Sequence, residues 1–80
     1  MTTIKELINK IKYDKREKPE DYVLYYFDRI QNKLIPLKYI DILRVEEDSM
    51  IVMKDGKETA IPLHRVREVR KKEEIVWKRS

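Results

Sequence analysis

This chain of 80 residues has no cysteine, one glycine, three prolines, one histidine and one tryptophan. Without cysteine there is no disulfide framework, which points to a reducing compartment. A single histidine and no thiol cannot assemble a zinc or iron ligand set, so neither a metal nor a cofactor is expected. One isolated glycine, Gly56, cannot make a Gly-rich phosphate loop. The opening Met-Thr-Thr-Ile-Lys-Glu lacks the apolar run of a secretory signal, and no stretch approaches the roughly 20 apolar residues of a membrane span. A cytoplasmic protein with no membrane partner is expected.

Apolar residues make up 41% of the chain and charged residues 42%. That is enough apolar material for one core inside a heavily solvated exterior, and a chain of this size cannot fill two. A single domain over 1–80 follows. The net charge of +4 is localised: residues 1–64 carry 12 Lys and Arg against 12 Asp and Glu, whereas residues 65–80 carry seven against three. Positive excess in one segment is the electrostatic footprint of a polyanionic partner.

Read in order, Ile4, Leu7, Ile8 and Ile11 fall at i, i+3, i+4, i+7 and predict a helix over about 3–12, capped by Thr2 or Thr3. Thr3 and Glu6 have capping-box spacing. The charged segment Asp14 to Asp21 reads as a solvated loop. Tyr22 to Ile30 is aromatic and β-branched on both parities, the pattern of a central strand covered on two sides. Strands are further predicted over about 33–37, where Pro36 implies an edge, and over 42–46, after a short helical turn. Asp55-Gly56 predicts a type I′ hairpin joining 50–54 to 58–62, with Lys54 opposite Lys57, Val52 opposite Thr59 and Met50 opposite Ile61. A last hairpin joins 67–71 to 75–78 over Lys72-Glu73-Glu74. The expected fold is α+β: an N-terminal helix packed on a bent antiparallel sheet of five or six short strands, with closure into a small barrel as the alternative.

Ile35-Pro36-Leu37 followed by Ile40 and Leu43 is echoed without gaps by Ile61-Pro62-Leu63, Val66 and Val69. His64 and Arg65 then stand where the first copy has Lys38 and Tyr39, on a turn that can present them to a ligand. The competing reading is a histidine satisfied by a backbone carbonyl and an arginine in an ion pair. Asp28 and Arg29 mark either a polar site or the point where the aromatic strand leaves the core. Trp77 and the tyrosines, Tyr13 and Tyr26 among them, are stacking surfaces for bases or simply core. In the basic run, strict alternation places Arg67 and Lys71 on one face and Arg70 and Lys72 on the other, with Glu68, Glu73 and Glu74 as neutralising neighbours. His64 has the chemistry to take a proton from a ribose hydroxyl with Asp28 as orienter, but no partner acid is supplied, and the chain is read as non-catalytic.

Four segments together carry a resemblance: Ile11-Lys12-Tyr13-Asp14, Tyr26-Phe27-Asp28-Arg29, Ile61-Pro62-Leu63-His64-Arg65-Val66 and Ile75-Val76-Trp77-Lys78-Arg79. In that order and spacing they resemble the RNA cyclic group end recognition domain, a family of small archaeal proteins. The resemblance implies recognition of RNA ends bearing a cyclic group such as 2′,3′-cyclic phosphate, in RNA repair or processing. It places the shared polar positions on Asp14, Asp28, Arg29, His64, Arg65, Trp77 and Arg79. This chain has Tyr13 where the family often has Trp, and Lys78 where many members have Asp.

On this reading Arg65 or Arg29 clamps the cyclic phosphate, His64 adds a donor and Asp28 orients one of them. Trp77, Tyr26 or Tyr13 stacks on a base, and Arg67, Arg70, Lys71 and Lys72 hold upstream phosphates. The expected partners are single-stranded RNA ends and RNA-processing enzymes. A protein-interaction adaptor and a weak nuclease or cyclic phosphodiesterase are the alternatives.

Overall fold

The structure, a computed structural model, describes residues 3–79; Thr2, the other expected cap, lies outside them. Helix α1 spans Ile4–Tyr13. Thr3 caps it: its Oγ1 accepts from the Glu6 N–H at 3.1 Å and donates to the Glu6 carboxylate at 3.1 Å. Ten residues are too few for a helix stable by itself. Its stripe of Ile4, Ile8 and Ile11 is buried in the core, and the Tyr39 hydroxyl donates to the Ile8 carbonyl at 2.9 Å.

Among the described residues seven strands follow: β1 Tyr22–Asp28, β2 Lys33–Lys38, β3 Ile42–Glu46, β4 Ser49–Lys54, β5 Lys57–Pro62, β6 Val66–Lys71 and β7 Glu74–Lys78. They form two antiparallel sheets, one ordered β2-β1-β6-β7 and the other β3-β4-β5. The fold is α+β, but it departs from a single bent sheet of five or six strands, and it does not close into a barrel. The reason lies in the connections. The chain passes between sheets twice, after β2 and after β5, and each time through a single-turn 3₁₀ helix, Tyr39–Asp41 and Leu63–Arg65. A 3₁₀ turn bonds its own backbone and cannot continue a ladder, so each crossing ends the sheet. A third such turn, Pro19–Asp21, leads into β1.

This device also corrects the echo. The gapless alignment pairs Ile35-Pro36-Leu37 with Ile61-Pro62-Leu63, yet the two 3₁₀ turns that follow are two residues out of step with it. Pro36 sits inside β2, opposite Tyr25, whereas Pro62 is the last residue of β5. His64 and Arg65 are therefore the structural counterparts of Ile40 and Asp41, not of Lys38 and Tyr39. Pro36 is tolerated inside a strand because β2 is an edge.

Inside the four-stranded sheet, β1 lies between β2 and β6. Its inward residues Tyr22, Leu24 and Tyr26 are buried, while Val23, Tyr25 and Phe27 on the outer face are half-buried. The strand ends at Asp28, whose carboxylate accepts from the Ile30 N–H at 2.8 Å and the Gln31 N–H at 3.3 Å. That turn lifts Arg29 and Ile30 off the sheet. The Asp55-Gly56 hairpin has the expected register, Met50 with Ile61, Val52 with Thr59 and Lys54 with Lys57. Both turn residues have positive φ, as a type I′ turn requires.

The charged 14–21 segment is pinned rather than loosely solvated. Asp14 accepts from the Arg16 backbone N–H at 2.9 Å and from its guanidinium at 3.2 Å. Glu17 accepts a short hydrogen bond from the Tyr22 hydroxyl and lies 3.4 Å from the Lys71 ammonium. Lys72 donates its N–H to the Asp21 carbonyl at 3.0 Å. These contacts hold the Asp14 carboxyl below its ordinary 3.8, chiefly through the Arg16 side chain, and Glu17 below 4.5, chiefly through Tyr22. Asp28 is held below 3.8 by the Ile30 N–H.

A carboxyl with a depressed folded pKa stabilises the fold above its unfolded value and loses that contribution as pH falls through the folded one. Urea midpoints are accordingly expected to be flat above about pH 5 and to decline below about pH 4. Glu17→Gln should remove part of the decline. Equal midpoints at pH 3 and pH 7 would show that these contacts contribute nothing.

Candidate nucleic-acid interface

Where β1 meets the β4–β5 hairpin, a cavity of about 140 Å³ opens between the sheets. Its polar wall comes from Tyr26 and Asp28 on β1, Lys54 at the end of β4, Thr59 on β5 and Arg65 on the 3₁₀ turn Leu63–Arg65. The Lys54 ammonium donates to the Tyr26 hydroxyl at 3.2 Å and sits 5.8 Å from its ring centroid. That hydrogen bond raises the Lys54 pKa, so the residue stays charged. Arg65 is half-buried, and its Nε is fully buried with no hydrogen-bond partner among the described residues. A second cavity of about 410 Å³ shares Tyr26 and Lys54 with the first and is lined by Ile35, Pro36, Leu37, Ile40 and Met53. Together they make a groove, with Arg65 and Lys54 at one end and, at the other, these apolar side chains interspersed with Lys38, Asp41 and Asp55.

The expected site residues do not converge on one place. Arg65, Asp28 and Tyr26 share the groove. His64 and Arg79 line a different, open depression of about 470 Å³ beside Thr3, Ile4 and Lys5 at the start of α1. The separation of His64 from Arg65 is geometric: at three residues per turn, neighbours on a 3₁₀ helix project about 120° apart. His64 therefore lies away from Asp28, its expected orienter.

Arg79 is spent largely on structure. Its guanidinium donates to the Val66 carbonyl at 3.0 Å and the Leu63 carbonyl at 3.3 Å, and covers the Trp77 ring at 5.2 Å. Trp77 packs against the core on the inner side, opposite Val69. Asp14 sits with Arg16 at the far end of α1, and the exposed Tyr13 ring has Lys12 5.4 Å from its centroid. Arg29 projects from the turn after β1.

The basic run is divided as well, and not by alternation. Tyr25 pairs with Glu68 but Tyr26 with Val66, so Arg67 is the extra residue of a β-bulge in β6. The bulge brings Arg67 and Arg70 to the same outer face, where Arg70 stands 4.7 Å over Tyr25 and Arg67 6.0 Å over Phe27. Lys71 turns instead to Glu17 and Tyr22, and Lys72 lies 3.9 Å from Asp21. Both lysines are thereby engaged with the 14–21 segment.

Two participants were not legible beforehand, Lys54 and Phe27, whereas Tyr25 is one of the tyrosines read as stacking surfaces. The outward parity of Tyr25 and Phe27 was visible in the sequence, but the arginines above them depend on the bulge. For Lys54 only its position beside the hairpin turn was visible.

The family model for the MJ1316 RNA cyclic group end recognition domain matches residues 1–79. A UPF0248 protein of Methanococcus maripaludis is 41% identical over 81 residues, covering 95% of this chain and 97% of its own length. A UPF0248 protein of Saccharolobus islandicus is 34% identical over 79 residues, covering 95% of this chain and 98% of its own. One of Saccharolobus solfataricus is 34% identical over 80 residues, covering 96% of each. No solved structure matches the chain. The match takes in both walls of the groove, β1 with Asp28 and the turn with Arg65, and on it the chain belongs to the MJ1316 RNA cyclic group end recognition domain family.

Proposed function

We propose that the protein is an RNA-binding module that recognises RNA ends carrying a cyclic group such as 2′,3′-cyclic phosphate, acting in RNA repair or processing. The observation that carries this reading is the buried Arg65 Nε, which has no partner among the described residues, in a residue that walls a small cavity with the charged Lys54. A buried N–H left unpaired costs about 1 to 3 kcal/mol, a cost that an anion entering the cavity can offset.

The charge balance favours a monoanion. Arg65 and Lys54 attract an anion, while the Asp28 carboxylate on the same wall, ionised at neutral pH, opposes a second negative charge. A cyclic phosphate carries one charge, a terminal 3′-phosphate up to two and a 3′-hydroxyl none. The adjoining space, walled on one side by Tyr26, Ile40 and Met53, accommodates the terminal base. Affinity for short RNAs of one sequence ending in 2′,3′-cyclic phosphate, 3′-phosphate or 3′-hydroxyl, measured by fluorescence anisotropy at two salt concentrations, is expected to rank in that order. Equal affinity for all three sinks end recognition.

A further inference from the structure

The outer face of the four-stranded sheet is not used by the groove, and its chemistry is distinct. Tyr25 and Phe27 point outward at alternate positions of β1, about 6.8 Å apart at the rise of an extended strand. Each ring lies beneath an arginine, Arg70 at 4.7 Å and Arg67 at 6.0 Å. The register brings Lys38 and Lys78 to the same face, opposite Val23 and Glu68. Against these four cations stands one carboxylate, Glu68, which is only 7% exposed and bonded to Arg70. Leu34 and Ile75, 41% and 48% exposed, flank the rings on the neighbouring strands.

We infer that this face binds single-stranded nucleic acid internally, by stacking unpaired bases on guanidinium planes backed by aromatic rings, without regard to sequence or to the end. Arginine planes and aromatic rings are the surfaces on which splayed bases stack, and every base has a π-face to offer. Because the guanidinium already lies over the ring, a base adds a third layer and meets a donor group prepaid in its orientation. The four cations supply the attraction to the phosphate backbone. A duplex keeps its bases paired and has no face to present here, which selects the single strand. The site is separate from the groove and does not depend on end recognition.

A circular single-stranded RNA, which has no end, isolates this face. The protein is expected to bind it in a salt-dependent way. Tyr25→Ala and Phe27→Ala should each weaken that binding by roughly 5- to 150-fold. The paired variant Arg67→Lys, Arg70→Lys keeps the charge and loses the planes. It should weaken the circle similarly while leaving the slope of log affinity against log salt nearly unchanged, with folding checked by circular dichroism. Binding of the circle by the lysine variant at the wild-type level would overturn stacking in favour of charge alone. Failure of the wild-type protein to bind any circle, whether or not it distinguishes ends, would overturn the site itself and leave the face to a protein partner.

Discussion

Arg65→Met is expected to lower affinity for RNA ending in 2′,3′-cyclic phosphate by about 10- to 150-fold, the equivalent of losing 1.5 to 3 kcal/mol of hydrogen bonding to a charged group. Affinity for the 3′-hydroxyl end should change far less, so the preference between ends collapses. Stability should move the other way or not at all. In the free protein the Arg65 Nε is buried without a partner among the described residues, and methionine fills a similar volume with no polar group to leave unsatisfied. Arg65→Lys keeps the charge but loses the planar fork that meets two phosphate oxygens at once, and should restore only part of the preference. The measurement is anisotropy against the three end chemistries beside a thermal melt of each variant. An unchanged preference in Arg65→Met refutes the role of this residue. Loss of preference together with a large fall in melting temperature would mark Arg65 as a structural group instead.

Leu24→Ala is expected to bring a large loss of stability, about 2.7 to 5 kcal/mol. Leu24 is fully buried on the inner face of β1, between Leu37 of β2 and Val69 of β6. Val69 is 1% exposed, so the methyl groups removed from Leu24 leave a space that neighbours on both sides are already packed to define. For a domain this small each kcal/mol shifts the melting temperature by roughly 4 to 8 °C, which gives a drop of about 10 to 40 °C. The whole stability of such a chain is of order 5 to 15 kcal/mol, so the variant keeps only a fraction of it. Ile30→Ala is the control: at 96% exposed, Ile30 packs against little and its loss should leave the melt unchanged. A Leu24→Ala variant that melts within 3 °C of the wild type, roughly half a kcal/mol, would contradict the central place of β1.

Several elements were readable because their causes are local. The α1 stripe and its Thr3 cap depend on residues within two turns of one another. The Asp55-Gly56 hairpin was legible to the residue pair, since the only glycine marks where positive φ is tolerated and the turn type sets the register. The last hairpin was harder to place for the converse reason. Its turn is the two residues Lys72-Glu73, both at positive φ, and Glu74 already pairs with Lys71, but no glycine or asparagine announces it. The proline echo is one of residues and not of position, because the 3₁₀ turns, set by where each strand must leave its sheet, run two residues out of step with it.

The sequence by itself determined the helix, the aromatic strand, the Asp-Gly hairpin, the α+β class and, through four separated motifs, the family. Those properties follow from side-chain period, turn chemistry and residue identity, all of which act over a few positions. Only the tertiary structure decided that the strands divide into two sheets, that a bulge turns Arg67 and Arg70 to one face, and that His64 and Arg65 part company on a 3₁₀ turn. It alone brought Lys54 to Tyr26, 28 residues away in the chain, to wall one cavity with Arg65. Such meetings depend on strand order and on where ladders stop, which are set by the packing of the whole core and have no signature in any single stretch of sequence.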